Sequence, residues 1–581
     1  MYLPRVTRRW LAAVLVVMAG VLPTHVAAQG PAPYTINAAS WLGSALDNDR
    51  VRGARIQRDG TIVVAGNVGP ARPGGVVPIL LNGASDQSGG VIVRLSADGR
   101  TVLSVTRVAT QIEDLALDAD DNVIIALWAQ GLAKLDPSAS QVLWTAAGRV
   151  GRVDAADDGT VAALVSAAND PEADAPGAGT LMIYAGDGTP LGTFPGRHNT
   201  LDVCLDSASA TVVTIGWRQA AADGNPVQIA YLRGTRYTGQ DQWTDYDWST
   251  DNASPRFINR PENNMADTRG YRCDVGADGK LYAAFEAAGG NHIFRYSPSD
   301  ISQKVSLAGG DHWHTFSNTR SEHKTFFARY EPISGRFLAG QQFLTRLSDG
   351  RGNTARVRNA AITADAAGRV YLGGSSAWGL PLPPHPRYVT QPGGAVFNPL
   401  EANPSAYLGG TWFMVMSTDF RTRLYVTRLA TDGNVDTLDA RILGDGAANV
   451  VFGGRTRTVT ETFTLDPIQV TPAGGQEGWF AVIAPVQLLP RFTFGPGGSP
   501  GAPATLTFDA SGSIAAQGIV RYDWEFGDGG VATGRNVGHT YTAPGVYTVR
   551  LTLTTSTGDT ASVARTVIIG GQSLFLPSLR R

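Results

Sequence analysis

The sequence predicts an all-β chain with two architectures in series, and three observations carry that prediction. Short apolar runs with alternating polarity recur on both sides of Asp/Gly turns through residues 34–487. Charged residues are only 17% of the 581 residues and apolar residues 43%, which suits a large core rather than long solvated helices. After Pro490 the pattern changes to strands and turns spaced as in a small sandwich.

The chain opens on an export signal. Arg5, Arg8 and Arg9 form a positive region, Leu11 to Leu22 an apolar one, and Val26-Ala27-Ala28 a small-residue cleavage pattern. The apolar run falls short of the about 20 residues that a membrane span needs, with a retained anchor as the competing reading. Residues 1–28 are therefore read as a signal peptide, and the mature protein is expected to be secreted or at the cell surface. No later stretch is apolar enough to span a bilayer. With Cys204 and Cys273 alone, packing rather than a disulfide framework must hold the fold. A net charge of −2 leaves no basic surplus for phosphates, so nucleic acid is not an expected partner.

A repeat organises residues 34–487. It reads Ala54-Arg-Ile-Gln-Arg-Asp-Gly-Thr-Ile-Val-Val-Ala-Gly66, then Asp114-Leu-Ala-Leu-Asp-Ala-Asp-Asp-Asn-Val-Ile-Ile-Ala126. Further copies surround Asp158-Gly159, Ser207-Ala208-Ser209, Asp278-Gly279, Ala367-Gly368 and Asp445-Gly446. Several continue into a second pair of strands, as in Gly90–Leu95 and Thr101–Val105. Four antiparallel strands per copy describe a seven-bladed β-propeller, because stacking blades around an axis buries faces that one blade cannot. Six or eight blades, or an array of sandwiches, are the alternatives. Residues 359–374, Asn-Ala-Ala-Ile-Thr-Ala-Asp-Ala-Ala-Gly-Arg-Val-Tyr-Leu-Gly-Gly, resemble the SBBP propeller repeat. The last copy lacks a fourth strand after Trp479–Ile483. Residues 34–43 are expected to supply it and close the ring.

Beyond Pro490, the runs Thr505–Ser513, Tyr522-Asp-Trp-Glu-Phe-Gly-Asp-Gly529, His539-Thr-Tyr541 and Gly545–Leu553 suggest an immunoglobulin-like sandwich. Trp524 and Phe526 share a strand face and should supply much of its core. These runs resemble the PKD domain, over residues 491–570. The resemblance implies a spacer or binding module on an exported protein, with Tyr547 as its corner tyrosine. Some PKD domains bind calcium, which Asp509 or Asp528 would hold here. Ile514-Ala515 stands where acid is common, so both residues are read as turn stabilisers. The tail 571–581 is short, apolar and basic.

Motifs of nucleophilic, metallo-hydrolytic or nucleotide chemistry are not found, and no catalytic residue is assigned. Asp311, His312 and His314 are a zinc candidate, since alternate imidazoles on an extended segment face one side. Trp243, Tyr246, Trp248 and Trp313 are candidates for stacking on sugar rings or for packing on the blade beneath. Cys204 and Cys273 lie on innermost strands of neighbouring copies with opposite side-chain parity, so they bridge or remain buried thiols. No cofactor is expected beyond these calcium and zinc candidates.

Long insertions follow the second strands, at about 67–89, 166–179, 287–324, 374–410 and 454–477, and share one face of the disc with the connection 244–269. Long loops on a rigid scaffold favour binding, so the ligand is expected there, with Trp243, Tyr246, Trp248 and Trp313 near its centre. Two functions follow. One is a non-catalytic exported binding, adhesion or surface protein whose partner is an extracellular polysaccharide or protein, peripheral to the cell surface at most. The other is a propeller-type glycan lyase or hydrolase with an accessory PKD domain, which acids, His and Arg converging on the channel mouth would favour.

Overall fold

The computed structural model describes residues 34–570, apart from short stretches and the longer segments 247–266, 289–295, 305–322 and 377–409. The signal peptide, Trp248, Asp311, His312, Trp313, His314 and the tail lie outside the described residues. Among those described, strands build the fold and the sole helical element is the 3₁₀ turn Pro73–Gly75.

Seven antiparallel meanders follow one another along the chain. Blade one runs Arg50–Ile56, Ile62–Asn67, Gly90–Leu95 and Val102–Val108, and blade two fills 112–146. Blades three, four and five start at Val150, Asn199 and Thr268, and blades six and seven have innermost strands Ile362–Ala364 and Asn434–Arg441. Each innermost strand touches the next in chain order, and the seventh returns to the first. This cycle is the arrangement a seven-bladed propeller requires.

The ring closes as the sequence analysis expects. Tyr34–Leu42 pairs antiparallel with Glu477–Pro485 as the fourth strand of blade seven, with Trp41 opposite Trp479. Its apolar side chains enter the core between blades six, seven and one. The Tyr34 hydroxyl donates to Tyr371 at 2.9 Å, and Tyr371 donates to Asp365 at 2.6 Å, so blade six also holds the closing strand.

A β-bulge explains the glycine that ends many repeats. In blades one to five and seven the innermost strand shifts register once, after Val51, Ile112, Val150, Thr200, Gly270 and Val435. The shift pushes a carbonyl toward the second strand. A Cβ at Gly66 would lie 2.1 Å from Arg50 O, and one at Gly216 1.9 Å from Asn199 O. Only glycine fits there.

Residues beyond 490 form two facing sheets. Thr493–Gly495, Ala504–Asp509 and Asn536–Tyr541 make one, and Ile519–Glu525, Val531–Thr533, Gly545–Thr555 and Thr560–Ile569 the other. Trp524 and Phe526 are both buried, stacked near-parallel and packed against Phe508. Tyr547 donates its hydroxyl to Ala543 O at 2.8 Å, the local bond a corner tyrosine makes.

Candidate functional site

The innermost strands line a polar channel, a cavity of about 70 Å³ bordered by Arg55, Asp114, Asp154, Asp202, Arg272, Asp274, Asp436 and Asp439. Its carboxylates are placed by the bulge. Asp114 and Asp202 each stand just past the register shift, and each accepts a backbone N–H from the next blade: Val153 to Asp114 at 3.2 Å, Cys273 to Asp202 at 3.1 Å. Thr437 does the same for Ala54 at 2.9 Å. Two residues further along, Asp154 accepts from Leu205 at 2.8 Å and Asp439 from Ile56 at 2.7 Å. Asp274 accepts from the Thr363 hydroxyl at 2.6 Å. Acceptors at two levels thus rivet blades two to five and blade seven to their successors, satisfying donors that the blade's own ladder leaves over.

The two levels differ in charge. At the first, Arg152 and Arg272 approach Asp202 at 3.9 and 3.7 Å. At the second, Asp154, Asp274 and Asp439 share the channel with Arg55. Burial, then repulsion from Asp274, pushes the Asp154 carboxyl up to about 7. Burial likewise raises Asp274 to about 6 against its bond from Thr363. Burial and the nearby Arg152 lower Arg272 to about 10. Glu113, one place before Asp114, forms a buried ion pair with Arg52 at 3.1 Å.

The proposed site residues fall in different places. Cys204 and Cys273 are joined as a disulfide between blades four and five, their Cα atoms 6.0 Å apart. Trp243 lies toward the short-turn end of its strand. Its indole N–H donates to Pro332 O at 2.9 Å and its ring packs against Gly335, in the turn between the third and fourth strands of blade five. The sequence analysis grouped it with the insertions, and the strand direction corrects that placement. Tyr246, at the strand's other end, is half-buried, bonded to His198 Nε2 at 3.0 Å and covered by the Arg218 guanidinium 5.0 Å from its ring. In the sandwich, Asp509 accepts from Ser511 N at 2.7 Å. Asp528 accepts from Gly530 N at 2.9 Å and meets His539 Nε2 at 2.8 Å.

The strand ends that carry the insertions lie together, as the topology demands. Among the described strands, second-to-third connections span 68–89, 166–179, 289–322, 377–409 and 457–476, all at the end of the ring opposite the Asp/Gly turns.

Fold and channel together define an all-β chain: a closed ring of four-stranded blades followed by a sandwich. Residues 490–569 match the family model of the PKD domain and form one. The sandwich is similar to the PKD1 domain of the Vibrio cholerae metalloprotease PrtV. That match is 28% identical over 15% of this chain and all of that one, with a TM-score of 0.13. It is also similar to a structure described as carbohydrate-binding modules from the β-sandwich superfamily, at 33% identity and a TM-score of 0.14. There the match covers 14% of this chain and 34% of that chain. The structure of U3-55K matches 79% of this chain and all of its own length at 11% identity, with a TM-score of 0.40. No helix among the described residues is long and apolar enough to cross a membrane.

Proposed function

We propose that this is an exported binding protein whose ring, an SBBP-type propeller, presents its insertion end to an extracellular polysaccharide or protein. The PKD domain serves as spacer or second contact. The carrying observation is the asymmetry of the ring, with tight turns at one end and every long second-to-third connection at the other. The channel supports the same reading, because its aspartates are engaged in holding blades together. Tyr246, Trp248 and Trp313 are the aromatic contacts of this reading, and zinc at Asp311, His312 and His314 belongs to the same end. Trp248→Ala with Trp313→Ala should weaken binding of the mature protein to cell-envelope polysaccharide while leaving its melting unchanged. Unchanged affinity would move the site to the short-turn end or to the PKD domain.

One observation favours the second reading, a glycan lyase or hydrolase. Glu286, His323 and Arg358 converge at the insertion end of blade five. Release of new reducing or unsaturated ends from a bound glycan would establish it.

A further inference from the structure

Blades four and five meet at the insertion end. Thr211–Ala222 and Asn225–Arg236 are each 12 residues long, and the hairpin they form reaches over the start of blade five. Its Gln228 N–H donates to Asp267 at 2.9 Å, and the Arg269 guanidinium stands 5.2 Å from the Trp217 ring. Glu286 lies next to this wall, directly opposite Arg269 in the ladder, and is only 3% exposed.

The two oxygens of Glu286 differ. Oε1 is 2.6 Å from His323 Nδ1 and 3.4 Å from Arg358 Nε. Oε2 is buried and meets no hydrogen-bond donor among the described residues. Thr325 faces Glu286 across the next strand pair, yet its hydroxyl donates to Ala355 O at 3.1 Å. The Tyr271 hydroxyl is bonded to Arg269 at 3.3 Å, and burial beside Glu286 pushes it well above its ordinary value, so it stays protonated. A buried carboxylate oxygen without a donor bears its full desolvation cost, and such an atom in a native fold calls for an explanation.

We propose that this side-chain cluster is a saccharide-binding site, in which Glu286 accepts a sugar hydroxyl and the neighbouring Arg358 and His323 donate to ligand oxygens. The inference rests on the polysaccharide reading above and names its contact residues and ligand class. Arg358 and His323 are 31% and 19% exposed at their side chains, so a ligand reaches them first. The carboxylates of Glu286 and Asp267 balance the guanidiniums of Arg269 and Arg358. A cluster with both donors and acceptors and no charge surplus suits a neutral, hydroxyl-rich ligand better than a polyanion.

Affinity electrophoresis of the mature full-length chain through gels containing dextran, galactan, xylan or alginate tests this. The expected result is retardation by at least one neutral glycan, weakened about tenfold in Glu286→Gln and in Arg358→Ala. Should Glu286→Gln fail to fold, the part-exposed Arg358→Ala decides alone. Wild-type affinity in folded variants would place a water at Oε2 and overturn the site, leaving the parent reading intact. Retardation by alginate alone would overturn the ligand class. No retardation of the unaltered protein by any glycan would overturn the polysaccharide reading with it.

Discussion

Deleting residues 34–43 from the mature chain should destroy the ring as a cooperative unit. The closing strand places Tyr34, Ile36, Trp41 and Leu42 in the core, none more than 4% exposed. At about 1.5–3 kcal/mol for each large apolar side chain, these four contribute roughly 6–12 kcal/mol. A folded domain has a net stability of about 5–15 kcal/mol, so the loss is comparable to the whole. The deletion also bares the ladder edge of Glu477–Pro485, inviting pairing with other chains. Calorimetry and size-exclusion chromatography should show a lost or broadened transition and association. A peptide spanning 34–43 should partly restore the transition in trans. Trp41→Ala is the milder version, expected to cost about 3–5 kcal/mol. A truncated protein that stays monomeric and melts like the full mature chain would refute the reasoning.

The remaining predictions concern the channel and the blade contacts. Asp154 and Asp274 have folded pKa values near 7 and 6, above their ordinary 3.8, so the native state binds extra protons between about pH 4 and 7. Their contribution is fully present below the unfolded pKa and is lost as pH rises through the folded one. Asp154→Asn keeps an acceptor for Leu205 N–H and removes the charge, so it should raise the melting temperature at pH 8 more than at pH 5. Equal shifts at both would contradict the assignment. The Cys204–Cys273 bridge spans 69 positions, and Cys204→Ser/Cys273→Ser should lose roughly 4 kcal/mol in the chain-entropy account. Unreduced, denatured protein should show no titratable thiol, and finding two would dismiss the bridge. Glu113→Ala removes the carboxylate 3.1 Å from the buried Arg52 guanidinium and should cost about 3–5 kcal/mol. The double change Arg52→Met/Glu113→Leu should cost much less, and strict additivity in denaturant unfolding would argue against the pair.

Much of the ring was legible because its signals are local. Hairpins such as 54–66 and 114–126 carry period-two alternation around a turn, and the missing fourth strand of the last copy pointed to 34–43. The sandwich was legible for the same reason, through Trp524, Phe526 and the turn between Phe526 and Gly530. The rivets were not. Asp114, Asp154 and Asp202 look like ordinary strand acids until the bulge fixes which way they point, and a bulge leaves no mark in a single strand's polarity. Trp243 was assigned to the wrong end because an aromatic cluster in sequence does not reveal where along the strand each ring sits. The meeting of Glu286, His323 and Arg358 was not legible. Glu286 and His323 meet across the 289–322 connection on paired strands of blade five, Arg358 joins them only when blade six packs against it, and the unusual length of the hairpin around 211–236 was the only faint signal.

Hydrogen exchange on the mature protein, with and without a glycan that retards it, tests the central claim most directly. The account predicts ligand-dependent protection at 219–228, 267–271, 286–288, 323–325 and 354–358, all at the insertion end of blades four to six. Protection confined to the Asp/Gly turns, or to the PKD domain alone, would contradict it.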